Sequence, residues 1–118
     1  MQFIDLKAQQ NQKLNGGITL KEDIEKNINK VIEHGQYIQG PEVKQLENEL
    51  AKYVGVKNCI TVSSGTDALL ASLMALDIKP GDEVITTPFS FFATAETILL
   101  VGAKPVFIDI RRYSYNLD

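Results

Sequence analysis

The sequence predicts an α/β fold with a mainly parallel sheet, and three observations support this. In the second half of the chain, short β-branched runs alternate with segments that have helical spacing of apolar residues. The connectors between these segments are short and contain Gly, Pro and Asp, which favour turns. Strands that alternate with helices through short connectors form parallel sheets with crossover helices.

Composition narrows the class of protein further. The 118 residues suffice for one domain with a modest core, and 44% hydrophobic residues with 23% charged residues are ordinary for a globular protein. A net charge of −3 does not suggest a nucleic-acid surface, and the single cysteine excludes an intrachain disulfide. No signal peptide or membrane-spanning stretch is visible, so we expect a cytoplasmic protein. Because a single cysteine gives no basis for a Cys-based metal site, we also expect no metal ligands.

The first half of the chain predicts a short extended piece and two helices. The extended piece covers residues 3–6. The first helix begins after Thr19, where Glu22 completes a capping box, and it ends at Gly35. The second helix begins at Pro41, which suits the first helical turn, and it ends at Gly55.

The second half predicts three strands separated by two helices. The strands cover residues 59–62, 83–87 and 105–110, and the helices run from the Ser63-Ser64-Gly65 turn to about residue 76 and over 93–101. The carboxyl ends of parallel strands form the usual ligand-binding edge of such a sheet. We therefore expect the turn at 63–65 and the loop that carries Phe89, Phe91 and Phe92 to lie on that edge.

The turn after the first predicted strand is a candidate anion site. The backbone N–H groups of Gly65, Thr66 and Asp67 lack intrahelical partners at a helix N-terminus, where the helix dipole favours negative charge. Gly65 allows a ligand to approach the backbone closely, and the hydroxyls of Ser63, Ser64 and Thr66 can add donors. The same residues are typical of an ordinary helix cap, which this stretch alone slightly favours, and the anion site stands as the alternative at this point.

Six blocks of sequence in a fixed order extend this interpretation. They are Phe3-Ile4-Asp5-Leu6-Lys7, Gly35-Gln36-Tyr37-Ile38-Gln39-Gly40-Pro41-Glu42-Val43, Ser64-Gly65-Thr66-Asp67-Ala68-Leu69, Pro80-Gly81-Asp82-Glu83-Val84-Ile85-Thr86, Phe91-Phe92-Ala93-Thr94-Ala95-Glu96 and Gly102-Ala103-Lys104-Pro105-Val106-Phe107-Ile108-Asp109. With these blocks the chain resembles the N-terminal third of sugar aminotransferases of the DegT/StrS type. Within that family it is most similar to the branch that forms 3-amino sugars on UDP-linked N-acetylated uronic acids.

The resemblance implies a fold, a cofactor and a set of site residues. The fold is the N-terminal part of the large domain of fold-type I pyridoxal-phosphate enzymes, with a helical segment over 1–58 and the start of the cofactor-binding sheet over 59–118. By position, Gly65, Thr66 and Asp67 would hold the phosphate of pyridoxal 5'-phosphate, with the Asp67 carboxylate facing away from it. Phe91 would stack on the pyridine ring, whereas Phe89 and Phe92 are expected to pack in the core.

The resemblance also implies the reaction and the partners of a complete enzyme. Glutamate would donate an amino group, through the cofactor, to a nucleotide-linked keto-sugar used in surface polysaccharide biosynthesis. A homodimer is expected, and neither nucleic acid nor membrane is implied as a partner. The alternative is a non-catalytic α/β module that binds a phosphorylated ligand or a partner chain.

The family lysine that binds the cofactor covalently matches no lysine of this sequence, and its position in the family lies beyond residue 118. We therefore expect the chain to be a fragment of the enzyme and to have no catalytic residue of its own. The purified 118-residue chain should show no transaminase activity with glutamate and a keto-sugar. Measurable turnover in a coupled assay for 2-oxoglutarate would contradict this expectation.

Overall fold

The computed structural model describes residues 4–118, and the chain divides into two compact units, Met1–Cys59 and Ile60–Asp118. The first unit contains the helices α1 (Leu6–Gln10), α2 (Leu20–His34) and α3 (Pro41–Val54). The second contains α4 (Gly65–Ala75), β1 (Glu83–Thr86), α5 (Ala93–Leu100) and β2 (Lys104–Phe107). The α/β class with a parallel sheet is thereby confirmed.

Helices α2 and α3 of the first unit begin and end where their capping residues predict. The Thr19 hydroxyl accepts the N–H of Glu22 at 3.2 Å, and the Glu22 carboxylate accepts the N–H of Thr19 at 2.7 Å. These hydrogen bonds to Thr19 lower the pKa of the Glu22 carboxyl. Gly35 and Gly55 follow α2 and α3 in the left-handed conformation. Local sequence signals are therefore sufficient to define these two helices.

The extended piece predicted over residues 3–6 is wrong where the structure describes it. Leu6 begins helix α1, and the Asp5 side chain caps that helix by accepting the N–H of Ala8 at 2.9 Å. Phe3 lies outside the described residues. An Asp side chain that captures a backbone donor three residues ahead favours a helix start over an extended chain.

The second unit is built on one parallel strand pair and its crossover helix. Glu83 to Thr86 of β1 lie in register with Lys104 to Phe107 of β2, and α5 connects the two strands. Helix α5 packs against both strands and against α4. Its buried side chains include Ala93, Ile98 and Thr97, whose hydroxyl donates to the carbonyl of Ala93 at 2.9 Å. That bond satisfies the hydroxyl group and lets the Thr97 side chain be buried.

The first of the three predicted strands is not a strand in this structure. Residues 59–62 belong to no strand of the described sheet, which consists of β1 and β2 alone. The two later strands are present but are shorter at their carboxyl ends than the apolar runs suggested. A β-branched run favours an extended chain, but only a hydrogen-bonded neighbour makes it a strand.

The two connectors that precede β1 and β2 approach each other closely. Gly102 has a φ of +80°, and a Cβ added there would lie 2.7 Å from Cγ of Pro80. Gly81 also has a positive φ of +101°, but a Cβ there would meet nothing within 4 Å. The two glycines thus share the conformational requirement and differ in the space around them.

We expect Gly102→Ala to lower the free energy of unfolding of the second unit more than Gly81→Ala does. Both substitutions carry the left-handed backbone cost of about 1–2 kcal/mol. Gly102→Ala adds an overpacking cost of about 1–3 kcal/mol because its methyl group meets the Pro80 ring. Urea unfolding of the two variants measures the difference, and equal losses would contradict the close approach.

Candidate functional site

The turn that begins helix α4 holds three of the predicted site residues. Ser64 is the N-cap, with an extended backbone, and Gly65 is the first helical residue. The Ser64 hydroxyl oxygen accepts the N–H of Asp67 at 3.1 Å. The sequence suggested that the N–H of Asp67 is a free donor. This is wrong, because the hydroxyl of the cap residue Ser64 accepts that N–H group.

Two backbone donors remain at this helix start. Within residues 4–118, no hydrogen bond occupies the N–H of Gly65 or of Thr66, as expected for the first turn of a helix. Gly65 is exposed, and a Cβ at its position would meet nothing within 4 Å. The turn therefore offers two parallel N–H groups, an open approach and the positive end of the α4 dipole.

The hydroxyl groups around the turn divide into two kinds. The Ser63 hydroxyl donates to the Asp67 carboxylate in a very close contact, so it is not an additional donor for an anion. The hydroxyls of Ser64 and Thr66 keep their hydrogens available, because Ser64 only accepts in its cap bond. The contact with Ser63 also occupies one oxygen of the Asp67 carboxylate, the single carboxylate in the turn, and so restricts the orientation of that group.

Phe91, the fourth predicted site residue, lies in the aromatic loop (residues 87–92) between β1 and α5. Its side chain is 80% exposed and lines an open cavity of about 290 Å³ together with Thr87, Ser90, Phe92 and Phe107. An exposed aromatic face beside hydroxyl groups is suitable for stacking against a flat polar ring.

The expectation that Phe89 and Phe92 pack in the core is wrong. Their exposed fractions are 72% and 70%, close to that of Phe91. All three rings project from a loop at the carboxyl end of β1, where the described chain provides little to cover them. Apolar character alone therefore does not distinguish a core phenylalanine from an exposed one in this loop.

The structure brings the four predicted residues to the starts of two helices that pack against each other. Residues 65–67 begin α4, and Phe91 precedes α5. Phe91 lines a cavity whose lining includes none of residues 65–67. Their roles toward a cofactor stay a prediction.

Two structural features are absent from residues 4–118. No group of three or more His, Cys, Asp or Glu side chains is arranged to hold a metal ion. No helix among the described residues has both the length and the apolar character needed to cross a bilayer. The candidate binding features of the described residues are the turn at the start of α4 and the aromatic loop.

Comparison with known proteins now identifies the family. The model of the DegT/DnrJ/EryC1/StrS aminotransferase family matches residues 18–118. The chain belongs to this family. Over all 118 residues it is 52% identical to the UDP-2-acetamido-2-deoxy-3-oxo-D-glucuronate aminotransferase of Pseudomonas aeruginosa. It spans 31% of the length of that relative.

Solved structures of the DegT/DnrJ/EryC1/StrS family agree with the fold. A family aminotransferase from Brucella abortus is 44% identical and superimposes with a TM-score of 0.90. The match covers 100% of this chain and 30% of the Brucella abortus chain. NtdA from Bacillus subtilis, solved with the bound cofactor PMP, is 32% identical with a TM-score of 0.80. The match covers 100% of this chain and 31% of the NtdA chain. The resemblance inferred from the ordered sequence blocks is thereby confirmed.

We expect Ser64→Ala to destabilise the second unit by about 1 kcal/mol, within a range of about 0.5–2 kcal/mol, because the N–H of Asp67 loses its cap. Ser64→Gly should cost only a few tenths of a kcal/mol. Ser72→Ala is the matched control, since the Ser72 hydroxyl only returns to the carbonyl of Ala68 within the same helix. Denaturant unfolding followed by circular dichroism checks the order, and equal effects at positions 64 and 72 would contradict the cap.

Proposed function

We propose that this chain forms the cofactor-phosphate-binding portion of a pyridoxal-phosphate-dependent aminotransferase that acts on a nucleotide-linked keto-sugar. The observation that carries the proposal is the pair of available N–H groups of Gly65 and Thr66 at the start of α4. Family membership and the identity to the Pseudomonas aeruginosa enzyme support the same conclusion. The division at residues 58 and 59, between a helical segment and the cofactor-binding sheet, is part of this proposal.

The residues of the turn fit a phosphate group. The open position at Gly65 gives a phosphate oxygen direct access to the backbone, which any side chain would restrict. The N–H groups of Gly65 and Thr66 and the Thr66 hydroxyl would donate to the phosphate. The N–H of Asp67 would contribute indirectly, because its bond to Ser64 fixes the orientation of the Ser64 hydroxyl.

The aromatic loop fits the ring of the same cofactor. The Phe91 ring is largely exposed and presents a flat apolar face that would stack on the pyridine ring and exclude water from it. When bound, pyridoxal phosphate supplies an electron sink for transfer of an amino group. The residues of this chain bind and orient the cofactor, and we assign no proton transfer to them.

The proposal extends to the complete enzyme. We infer glutamate as the amino donor, a UDP-linked 3-keto sugar acid as the acceptor and surface polysaccharide biosynthesis as the role, in line with the named activity of the Pseudomonas aeruginosa relative. We also infer a cytoplasmic homodimer. No residue of this chain is proposed as the lysine that binds the cofactor covalently, so the chain is expected to bind pyridoxal phosphate weakly and reversibly.

A titration with two ligands tests the site. Inorganic phosphate and pyridoxal phosphate should both shift the backbone amide resonances of residues 64–67. Gly65→Val should impair both ligands, because a β-branched side chain fills the open approach. Thr66→Val should cost on the order of 1–3 kcal/mol for both ligands, because it removes a hydroxyl donor, whereas Thr66→Ser retains the donor.

Phe91→Ala separates the ring from the phosphate. This variant should weaken pyridoxal phosphate and leave inorganic phosphate unchanged, because only the cofactor has a ring to stack. Inorganic phosphate thus serves as the control ligand for Phe91→Ala. If phosphate perturbs none of the amides of residues 64–67 while the fold is intact, the turn is only a helix cap and the proposal fails.

A further inference from the structure

The last described residues of the chain form a closed loop, here named the Tyr115 loop (residues 110–117). Ile110 and Leu117 pair as an isolated antiparallel bridge. Inside it, the N–H of Arg111 donates to the carbonyl of Asn116 at 2.8 Å, and the N–H of Tyr115 donates to the carbonyl of Arg111 at 2.9 Å. These hydrogen bonds define the path of the backbone around Tyr115.

Tyr115 has a backbone conformation that few side chains adopt. Its φ is +58°, in the left-handed region that normally favours glycine. The neighbouring backbone is held as well, since the N–H of Asn116 donates to the Ser114 hydroxyl at 3.4 Å. A bulky residue kept in such a conformation by surrounding bonds is a reason to search for a role of its side chain.

The Tyr115 ring reaches the aromatic loop. Its centroid lies 6.5 Å from that of Phe89, with an angle of 25° between the ring planes, which is a stacked arrangement. Phe89 is tied to its own loop, because its N–H donates to the Thr87 hydroxyl at 3.1 Å. The stack therefore links the Tyr115 loop to the segment that carries Phe91, two residues further along.

Phe91 is held by hydrogen bonds to the start of helix α5. Its carbonyl accepts the N–H of Thr94 at 3.1 Å, and a hydrogen bond of 3.2 Å joins the hydroxyls of Ser90 and Thr94. These contacts anchor the end of the aromatic loop to α5, while the Phe89–Tyr115 stack anchors its beginning. An exposed loop fixed at both ends loses less freedom when a ligand stacks on it.

We propose that Tyr115 is a positioning residue that holds the aromatic loop so that the Phe91 ring is ready to receive the pyridine ring of the cofactor. The proposal rests on the proposed function and deepens it. Tyr115 acts through Phe89 and not by touching the cofactor. The aromatic ring of Tyr115 is the part required, and its hydroxyl is dispensable.

Three variants of the 118-residue chain test this role. Tyr115→Ala should weaken pyridoxal phosphate by roughly two- to twelvefold, the range expected for loss of one aromatic pair, and should leave inorganic phosphate unchanged. Tyr115→Phe should restore wild-type affinity. Tyr113→Ala is the matched control, because Tyr113 lies in the same loop and is 90% exposed. Its ring contacts the guanidinium group of Arg112 and not a ring of the aromatic loop.

A measurement without ligand keeps the result independent of the proposed function. Tyr115→Ala should move the amide resonances of Ser90 and Phe91, whereas Tyr113→Ala should leave them in place. If Tyr115→Ala behaves like Tyr113→Ala in both the amide shifts and the cofactor titration, the positioning role is overturned. The role is also overturned if Tyr115→Ala weakens phosphate as much as cofactor, since that is a general loss of structure.

The two proposals fail in different ways. If Phe91→Ala leaves the affinity for pyridoxal phosphate unchanged, the ring-stacking part of the proposed function is wrong. The unliganded amide shifts then still decide whether Tyr115 fixes the aromatic loop. If Phe91→Ala weakens the cofactor and Tyr115→Ala does not, the site stands and the inference about Tyr115 is wrong.

Discussion

The parallel pairing of β1 and β2 is the constraint on which the second unit depends. Parallel strands cannot be joined by a tight turn, so α5 must cross back over the sheet between them. As a result, the aromatic loop after β1 and the Tyr115 loop after β2 both leave the same edge of the sheet. Phe89 and Tyr115 can therefore meet although they are distant in sequence.

The same geometry explains the crowded opposite edge. Pro80 comes before β1 and Gly102 comes before β2, so both connectors lie where the parallel strands begin. One edge of the strand pair is thus closely packed where these two connectors meet, whereas the other carries the exposed rings of the aromatic loop and the Tyr115 loop. This division is typical of parallel sheets, whose carboxyl ends carry the binding residues.

Helix capping and anion binding are compatible at the start of α4. The sequence left these interpretations as alternatives, because Ser, Gly and Thr at a helix start favour both. In the structure, Ser64 caps the N–H of Asp67, and the N–H groups of Gly65 and Thr66 make no hydrogen bond within residues 4–118. A cap of this kind orients the first turn before any ligand arrives, which reduces the ordering that binding requires.

The features that sequence predicted well are those with local causes. Thr19, Gly35, Pro41 and Gly55 define their helix ends through contacts within a few residues, and the structure agrees at each. The strand predicted over 59–62 was wrong because strand formation depends on a distant partner. Two further features depend on how separate loops assemble, which a periodic pattern does not encode. They are the exposure of Phe89 and Phe92 and the stacking of Tyr115 on Phe89.

The locality of the turn at the start of α4 has a consequence for the order of folding. Its cap bond joins Ser64 and Asp67, so forming it closes a very short segment at little entropic cost. The Phe89–Tyr115 stack closes a loop of about 26 residues and must wait for the strand pair and its crossover. During folding, the geometry of the turn would arise early with α4, and the aromatic loop would take its final position only when the sheet is complete.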